Sequence, residues 1–216
     1  MNQRTICVIV FALLIALCSA AWAGPVSDKL TPEEIEQLKA GEWVMKKNIG
    51  EDGSSGAGVI FGVFNCKLAT FWEIVYDYPH YGELFPPIIR AEVTKGELGY
   101  ERFWTEIEMH FPITNVIYTN YNDATPDDMR LDFVMDKEYP HKHIAAIDGY
   151  WQLEPLGEDC YLAEYLAEVE LDINAVFKAL LTPIFNALTG RDLPKMMDTY
   201  RREINKREGR TGDNPA

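Results

Sequence analysis

The side chains able to do chemistry are few and badly spaced for it. His141 and His143 alternate just after Pro140, with His110 and His80 elsewhere in the chain. A metal centre would need a third and fourth ligand at defined distances, and histidines beside a turn read as surface residues, so no metal ligand is assigned. The paired carboxylates Glu106 with Glu108 and Glu168 with Glu170 repeat with period two, which on a strand puts each pair on one solvent face. They read as solubilising charges and not as an acid and base couple. The chain has no Gly-rich phosphate loop, G-x-S-x-G elbow, C-x-x-C pair or H-E-x-x-H helix. No catalytic residue and no cofactor is therefore assigned.

What the sequence does concentrate is large, flexible apolar material: Phe103, Met109, Phe133, Met135, Trp151 and Tyr165. Ordinary core packing accounts for much of it. A curved sheet gripping a helix nevertheless tends to leave a gap, and a gap lined by aromatics and methionine suits an apolar guest. Burying about 300 Å² of such a guest is worth on the order of 7 kcal/mol before the costs of binding.

The elements that must position these residues are set by periodicity. Thr31-Pro32-Glu33-Glu34 starts a short helix with Thr31 as N-cap, and Gly41 stops it. Trp43 to Ile49 reads as a strand, Glu51 to Gly56 as a glycine-rich loop, and Gly58 to Cys66 as a second strand. Phe71, Trp72, Val75 and Tyr76 recur at helical spacing over Ala69 to Tyr78, and Pro79, Gly82, Pro86 and Pro87 break the next stretch into a short, interrupted helix. A train of strands comes next: Ile88 to Lys95, Tyr100 to Phe111, Thr114 to Tyr121, Met129 to Lys137, Gly149 to Glu154 and Tyr161 to Leu171. Turns such as Glu97-Leu98-Gly99 and Thr125-Pro126-Asp127-Asp128 separate them, so the sheet is expected to be antiparallel and hairpin-linked. In the last strand Tyr161, Ala163, Tyr165, Ala167, Val169 and Leu171 share one face, while Glu164, Glu168 and Glu170 share a wet one. After Asp172 the pattern turns helical through Val176, Phe177, Leu180, Leu181, Ile184, Phe185 and Leu188, breaks at Gly190, and resumes from Leu193 to about Lys206.

Composition narrows the partners. The 216 residues carry 34 acidic against 20 basic side chains, a formal charge of -14, with 47% apolar and 12% aromatic content. A chain near this size buries roughly 70% of its unfolded surface, so a packed α+β domain is expected. Its acidity excludes a protein that grips phosphate backbones, which takes clustered Lys and Arg; no nucleic-acid partner is expected. Arg4, the apolar run Ile6 to Leu17 and Ala21-Trp22-Ala23 read as a signal peptide over residues 1–23. The rest of the chain has no stretch near the 20 or so apolar residues of a membrane span. Cys7 and Cys18 leave with the signal, and Cys66 and Cys160 remain in an oxidising compartment, as one bridge or as two small buried hydrophobes.

At the level of motifs, Phe71-Trp72-Glu73-Ile74-Val75-Tyr76-Asp77-Tyr78-Pro79-His80-Tyr81 followed by Phe85-Pro86 is similar to the "vWxvlxDyxxY" helix of the START-like superfamily, the SRPBCC or helix-grip proteins. Gly149-Tyr150-Trp151-Gln152-Leu153-Glu154-Pro155 resembles that group's "GxWxlxP" strand, and Leu193 to Lys206 its terminal helix. The resemblance covers residues 56–207, leaving 24–55 as an N-terminal helix and strand extension and 208–216 as a flexible tail. It implies a helix-grip fold: an antiparallel sheet of about seven strands wrapped around a long C-terminal helix, with two short helices after the first strand and a hydrophobic cavity for lipids, sterols, quinones or polyketides. In that fold the first and last strands pair, which brings Cys66 towards Cys160 and implies a disulfide between them.

The expected function is that of a periplasmic or secreted protein binding or carrying a hydrophobic small molecule. The expected lining is Phe103, Ile107, Met109, Phe133, Met135, Trp151 and Tyr165 from the sheet and Phe177 and Leu181 from the helix, with Asn115 and Tyr121 fixing a polar head. The alternatives are a cyclase or aromatase using the same cavity, which needs titratable groups turned inward, and an interaction module with a collapsed interior. Protein partners are unspecified. Intact-mass measurement on exported protein is expected to give a chain beginning at Gly24; a mass that retains Met1 would remove the signal assignment.

Overall fold

The computed structural model describes residues 26–49, 55–97, 101–111, 114–172 and 192–210. The expected signal peptide, residues 51–54 of the first loop, the Leu98-Gly99 turn, the helical stretch Val176 to Leu188 and the tail beyond Arg210 lie outside the described residues.

A 3-10 turn, Val26–Lys29, leads into helix α1, Pro32–Lys39. Its start is the expected capping box: the Glu34 N–H donates to Thr31 Oγ1 at 3.2 Å, and the Thr31 N–H donates to the Glu34 carboxylate at 2.8 Å. That backbone donor, helped by Lys46 Nζ at 2.9 Å, holds the Glu34 carboxyl below its ordinary range. Eight strands follow: β1 (Val44–Ile49), β2 (Ser55–Asn65), β3 (Ile88–Gly96), β4 (Arg102–Phe111), β5 (Thr114–Thr125), β6 (Arg130–Met135), β7 (Ala146–Gly157) and β8 (Cys160–Glu170). They form one antiparallel sheet in the order β1-β2-β8-β7-β6-β5-β4-β3. The sheet has eight strands and not about seven, because the N-terminal extension contributes β1, paired from Val44↔Phe61 to Ile49↔Gly56. Ser55 and Gly56, expected in the loop, already pair with β8.

Between β2 and β3 lie helix α2 (Leu68–Val75), a 3-10 turn (Tyr78–His80) and helix α3 (Tyr81–Leu84). Helix α2 buries Phe71, Ile74 and Val75 at one-turn spacing. It stops short of the expected Tyr78: Pro79 has no N–H to donate to the Val75 carbonyl, which accepts the Tyr81 hydroxyl instead. Helix α4, Leu193–Arg207, closes the described fold and buries Met197, Tyr200, Glu203 and Ile204. Trp43 ties α4 to the sheet. Its ring lies so close over Gly62 that a Cβ there would meet it at 2.3 Å, its Nε1 donates to Asp198 at 2.8 Å, and the Arg201 guanidinium stacks 3.8 Å from the ring.

The register gives every strand one face towards the helices and one away. The outward face is not uniformly wet. Val26, Leu38, Val44, Phe61 and Leu162 form a second small core beneath the N-terminal segment. Glu164, expected among the solvent-facing carboxylates, is fully buried there. It accepts Lys29 Nζ at 2.7 Å and the Tyr150 hydroxyl at 2.9 Å. Nearby, the Ser27 N–H and hydroxyl both donate to Glu154, at 2.8 and 2.7 Å. The chain ahead of β1 covers this part of β7 and β8, so the charges beneath it need partners.

The expected disulfide is also corrected. Asn65 is the partner of Cys160 across β2 and β8, and the Cys66 N–H donates to the Asp159 carbonyl at 2.8 Å. Neighbouring positions of a strand point to opposite faces, so Cys66 turns into the main core while Cys160 turns outward, and both are free thiols. Burial pushes the Cys66 thiol up to about 12.

Lys29→Met is expected to cost about 2–3 kcal/mol in urea unfolding, somewhat less than the 3–5 kcal/mol of a fully buried broken pair because Lys29 stays partly exposed. A variant as stable as the parent would show that the Lys29–Glu164 pair does not hold the N-terminal segment down. In native protein processed after Ala23, iodoacetamide at pH 8 is expected to modify Cys160 and spare Cys66, which stays protonated until unfolding exposes it; a peptide map with the two joined would restore the bridge.

Candidate ligand-binding site

The inward face is built by pairing. Phe103, Thr105, Ile107 and Met109 of β4 stand opposite Asn122, Asn120, Tyr118 and Val116 of β5. Asn120 and Asn122 in turn stand opposite Met135 and Phe133 of β6. Leu131 and Phe133 continue to Trp151 and Gly149 of β7, and Trp151 to Tyr165 of β8. Gly149 is what lets Phe133 lie flat against the sheet, since a Cβ there would meet the ring at 2.6 Å.

Aromatic contacts bind this face to the helices. Phe71 of α2 packs on Trp151 at 5.4 Å and on Tyr200 of α4 at 6.1 Å. Trp151 touches Tyr165 at 4.7 Å and Tyr200 at 5.0 Å, and Phe133 stacks on Tyr165 at 6.1 Å. Tyr76 and Tyr78 both reach Phe103 at 6.0 Å. The Tyr81 hydroxyl donates to the Val75 carbonyl and lies 3.4 Å from that of Tyr200. Burial pushes the Tyr165 phenol up to about 12 and those of Tyr78, Tyr81, Tyr118 and Tyr200 well above their ordinary range. At neutral pH these groups are uncharged and can donate hydrogen bonds.

The sheet residues expected to line a cavity do come together. Phe103, Ile107, Met135 and Trp151 are buried in the main core, with Met109, Phe133 and Tyr165 half-buried against it. Phe177 and Leu181 lie outside the described residues. Asn115 and Tyr121, expected to fix a polar head, face away from the interior. The Asn115 amide donates to Glu108 at 3.0 Å and lies 3.3 Å from His110, while the Tyr121 hydroxyl donates to Asp123 at 3.3 Å and its ring packs on Trp104 at 5.1 Å. The polar groups turned inward on β5 are their neighbours Tyr118, Asn120 and Asn122, all buried. Asn122 Nδ2 is engaged by the Phe103 carbonyl at 3.2 Å, Thr105 Oγ1 at 3.0 Å and the Asn120 carbonyl at 3.3 Å. Asn120 Oδ1 has no hydrogen-bond partner, a state that costs about 1–3 kcal/mol unless something fills it. A signal for these residues exists in the sequence: asparagine is rare in strands, and two of them at period two next to Tyr118 mark a polar stripe.

The inward positions of β4 to β8 carry no Asp, Glu, His, Lys or Arg. Among the described residues no group of three or more His, Cys, Asp or Glu could hold a metal ion. A separate groove of about 500 Å³ lies outside this interior, between α2 and the end of α4, and includes Trp72, Tyr76, Asp77 and Arg207. There Asp77 pairs with Arg207 and with His80 Nδ1 at 2.6 Å. Partial burial works against the Asp77 charge, but these two partners outweigh it and hold the carboxyl below its usual range.

No family model matches the chain, and no curated protein matches it in sequence. Solved structures do match its fold. A STAR-related lipid transfer protein fragment from Xanthomonas axonopodis superposes with a TM-score of 0.58 at 12% identity, over 74% of this chain and 93% of that one. A START superfamily protein from Mycobacterium smegmatis gives 0.52 at 13% identity, over 76% and 97%. An aromatase/cyclase from Streptomyces gives 0.50 at 11% identity, over 74% and 96%. With its single antiparallel sheet, two short helices after β2 and C-terminal helix, the chain has the START-like helix-grip fold.

Proposed function

We propose that this protein is exported and that it binds or carries a hydrophobic small molecule between the inward sheet face and the helices that cover it. The observation that carries the reading is the inward face itself: five consecutive strands present apolar, aromatic and neutral polar side chains there, and no charge. Such a surface offers an apolar guest a dry environment and a few orienting groups. The likeness to a lipid transfer protein fragment and a START superfamily protein supports a guest of this kind. Export rests on the Arg4, Ile6 to Leu17 and Ala21-Trp22-Ala23 pattern. Among the described residues no helix is long and apolar enough to cross a membrane.

A cyclase would work in the same interior, and the Streptomyces aromatase/cyclase shares the fold. General acid and base chemistry at neutral pH needs groups that titrate nearby. The inward positions supply only phenols that burial keeps protonated. Carriage is therefore the preferred reading.

Native mass spectrometry of the exported protein, with extraction of whatever it retains, is expected to show one apolar molecule per chain. Phe133→Asp, which sets a charge on the half-buried inward face, is expected to reduce its retention at least about tenfold, because an unpaired carboxylate in an apolar site costs more than the 1.4 kcal/mol that a tenfold change represents. Chemical conversion of the extracted molecule by the purified protein would favour the enzyme. Protein that carries nothing and leaves no room for a guest would overturn carriage.

A further inference from the structure

We propose that the bound molecule is a neutral apolar alcohol whose hydroxyl donates a hydrogen bond to Asn120 Oδ1 on the inward face of β5. The inference rests on the carrier reading above and adds to it the chemistry of the guest's polar end.

Asn120 is 5% exposed, and its side-chain oxygen is the one buried side-chain polar atom without a partner among the described residues. Its place in the sheet explains why the protein does not satisfy it. The inward neighbours across the strands are Thr105 of β4 and Met135 of β6. Methionine supplies no donor. Asn122, two residues along the same face, has committed its amide nitrogen to Phe103, Thr105 and the Asn120 backbone. Among the described residues no donor reaches this oxygen.

The requirement on the ligand comes from that acceptor. A hydroxyl can donate to Asn120 Oδ1 and bring no net charge into the interior. An anionic head such as a carboxylate would need a cation, and no Lys, Arg or His stands at an inward position of β4 to β8. A ketone has no hydrogen to donate and would leave Asn120 Oδ1 unpaired. At this position the alcohol is favoured over its oxidised counterparts. Burial keeps the Tyr118 phenol on the same face of β5 protonated, so it brings no charge to the interior.

The test uses exported protein stripped of lipid, titrated with 1-dodecanol, 2-dodecanone and dodecanoate while tryptophan fluorescence is followed. The parent protein is expected to bind 1-dodecanol at least about tenfold more tightly than 2-dodecanone, the scale of one added hydrogen bond in an apolar site, and dodecanoate more weakly than the alcohol. Asn120→Leu removes the acceptor and is expected to bring alcohol and ketone to within about twofold, with ketone binding retained and the melting temperature of the empty protein raised. Asn120→Ala is the second variant, with the same loss of preference expected. Equal binding of alcohol and ketone by the parent, or a preference that survives both substitutions, would overturn the role of Asn120 and leave carriage standing. If none of the three probes binds, the molecule retained by the exported protein decides. One with a hydroxyl, lost in Asn120→Leu, supports the proposal, and one without a donor overturns it. Protein that retains nothing would remove carriage and this inference together.

Discussion

Everything in the described structure depends on the pairing of β2 with β8, from Ser55↔Glu170 to Asn65↔Cys160. These strands stand about a hundred residues apart in the chain, so their ladder joins the N-terminal hairpin β1–β2 to the meander that runs from β3 to β8. Without it the sheet would be two pieces with four edges in place of two. It also sets Gly62, which accepts the Trp43 ring, beside Ala163, a small residue that lets the chain pass closely. Helix α4 rests on the bed so formed through Trp43, Met197 and Tyr200.

The same pairing divides the charges. A highly acidic chain places its carboxylates on the outward positions, where water screens them, and where the N-terminal segment excludes water it supplies Lys29, which joins Tyr150 of β7 in partnering Glu164. A paired buried charge of this kind adds little net stability compared with an apolar residue, but losing one partner is costly. The segment ahead of β1 is therefore bound to its place by more than its few apolar contacts. The inward face, by contrast, holds only neutral groups, and its aromatic network connects sheet, α2 and α4 through Phe71, Trp151 and Tyr200.

The unpartnered oxygen of Asn120 breaks that economy. A purely structural interior would hold an apolar residue there, since orphaned buried polar atoms are rare in native proteins. Nothing among the described residues partners it. The guest proposed above would, because a polar group left open in the empty protein can be satisfied in the filled one.

Much of this architecture is written in the chain. The period-two alternation of β4, β6 and β8, the Thr31–Glu34 capping box, and the Phe71 to Tyr81 and Gly149 to Pro155 motifs announce an antiparallel sheet with helices on one side, because local sterics and side-chain periodicity act over a few residues. Strand β5 is different. Val116 and Tyr118 fall in one parity and Ile117 and Tyr121 in the other, so apolarity favours neither face, and the inward set is fixed only by Met109↔Val116 and its successors. That non-local register is why Asn120 and Asn122 lie inside and Asn115 and Tyr121 outside. Burial of Glu164, and the separation of Cys66 from Cys160 onto opposite faces, have the same origin: each depends on what a distant segment lays against the strand, and hydrogen bonds between residues far apart in the chain carry that information.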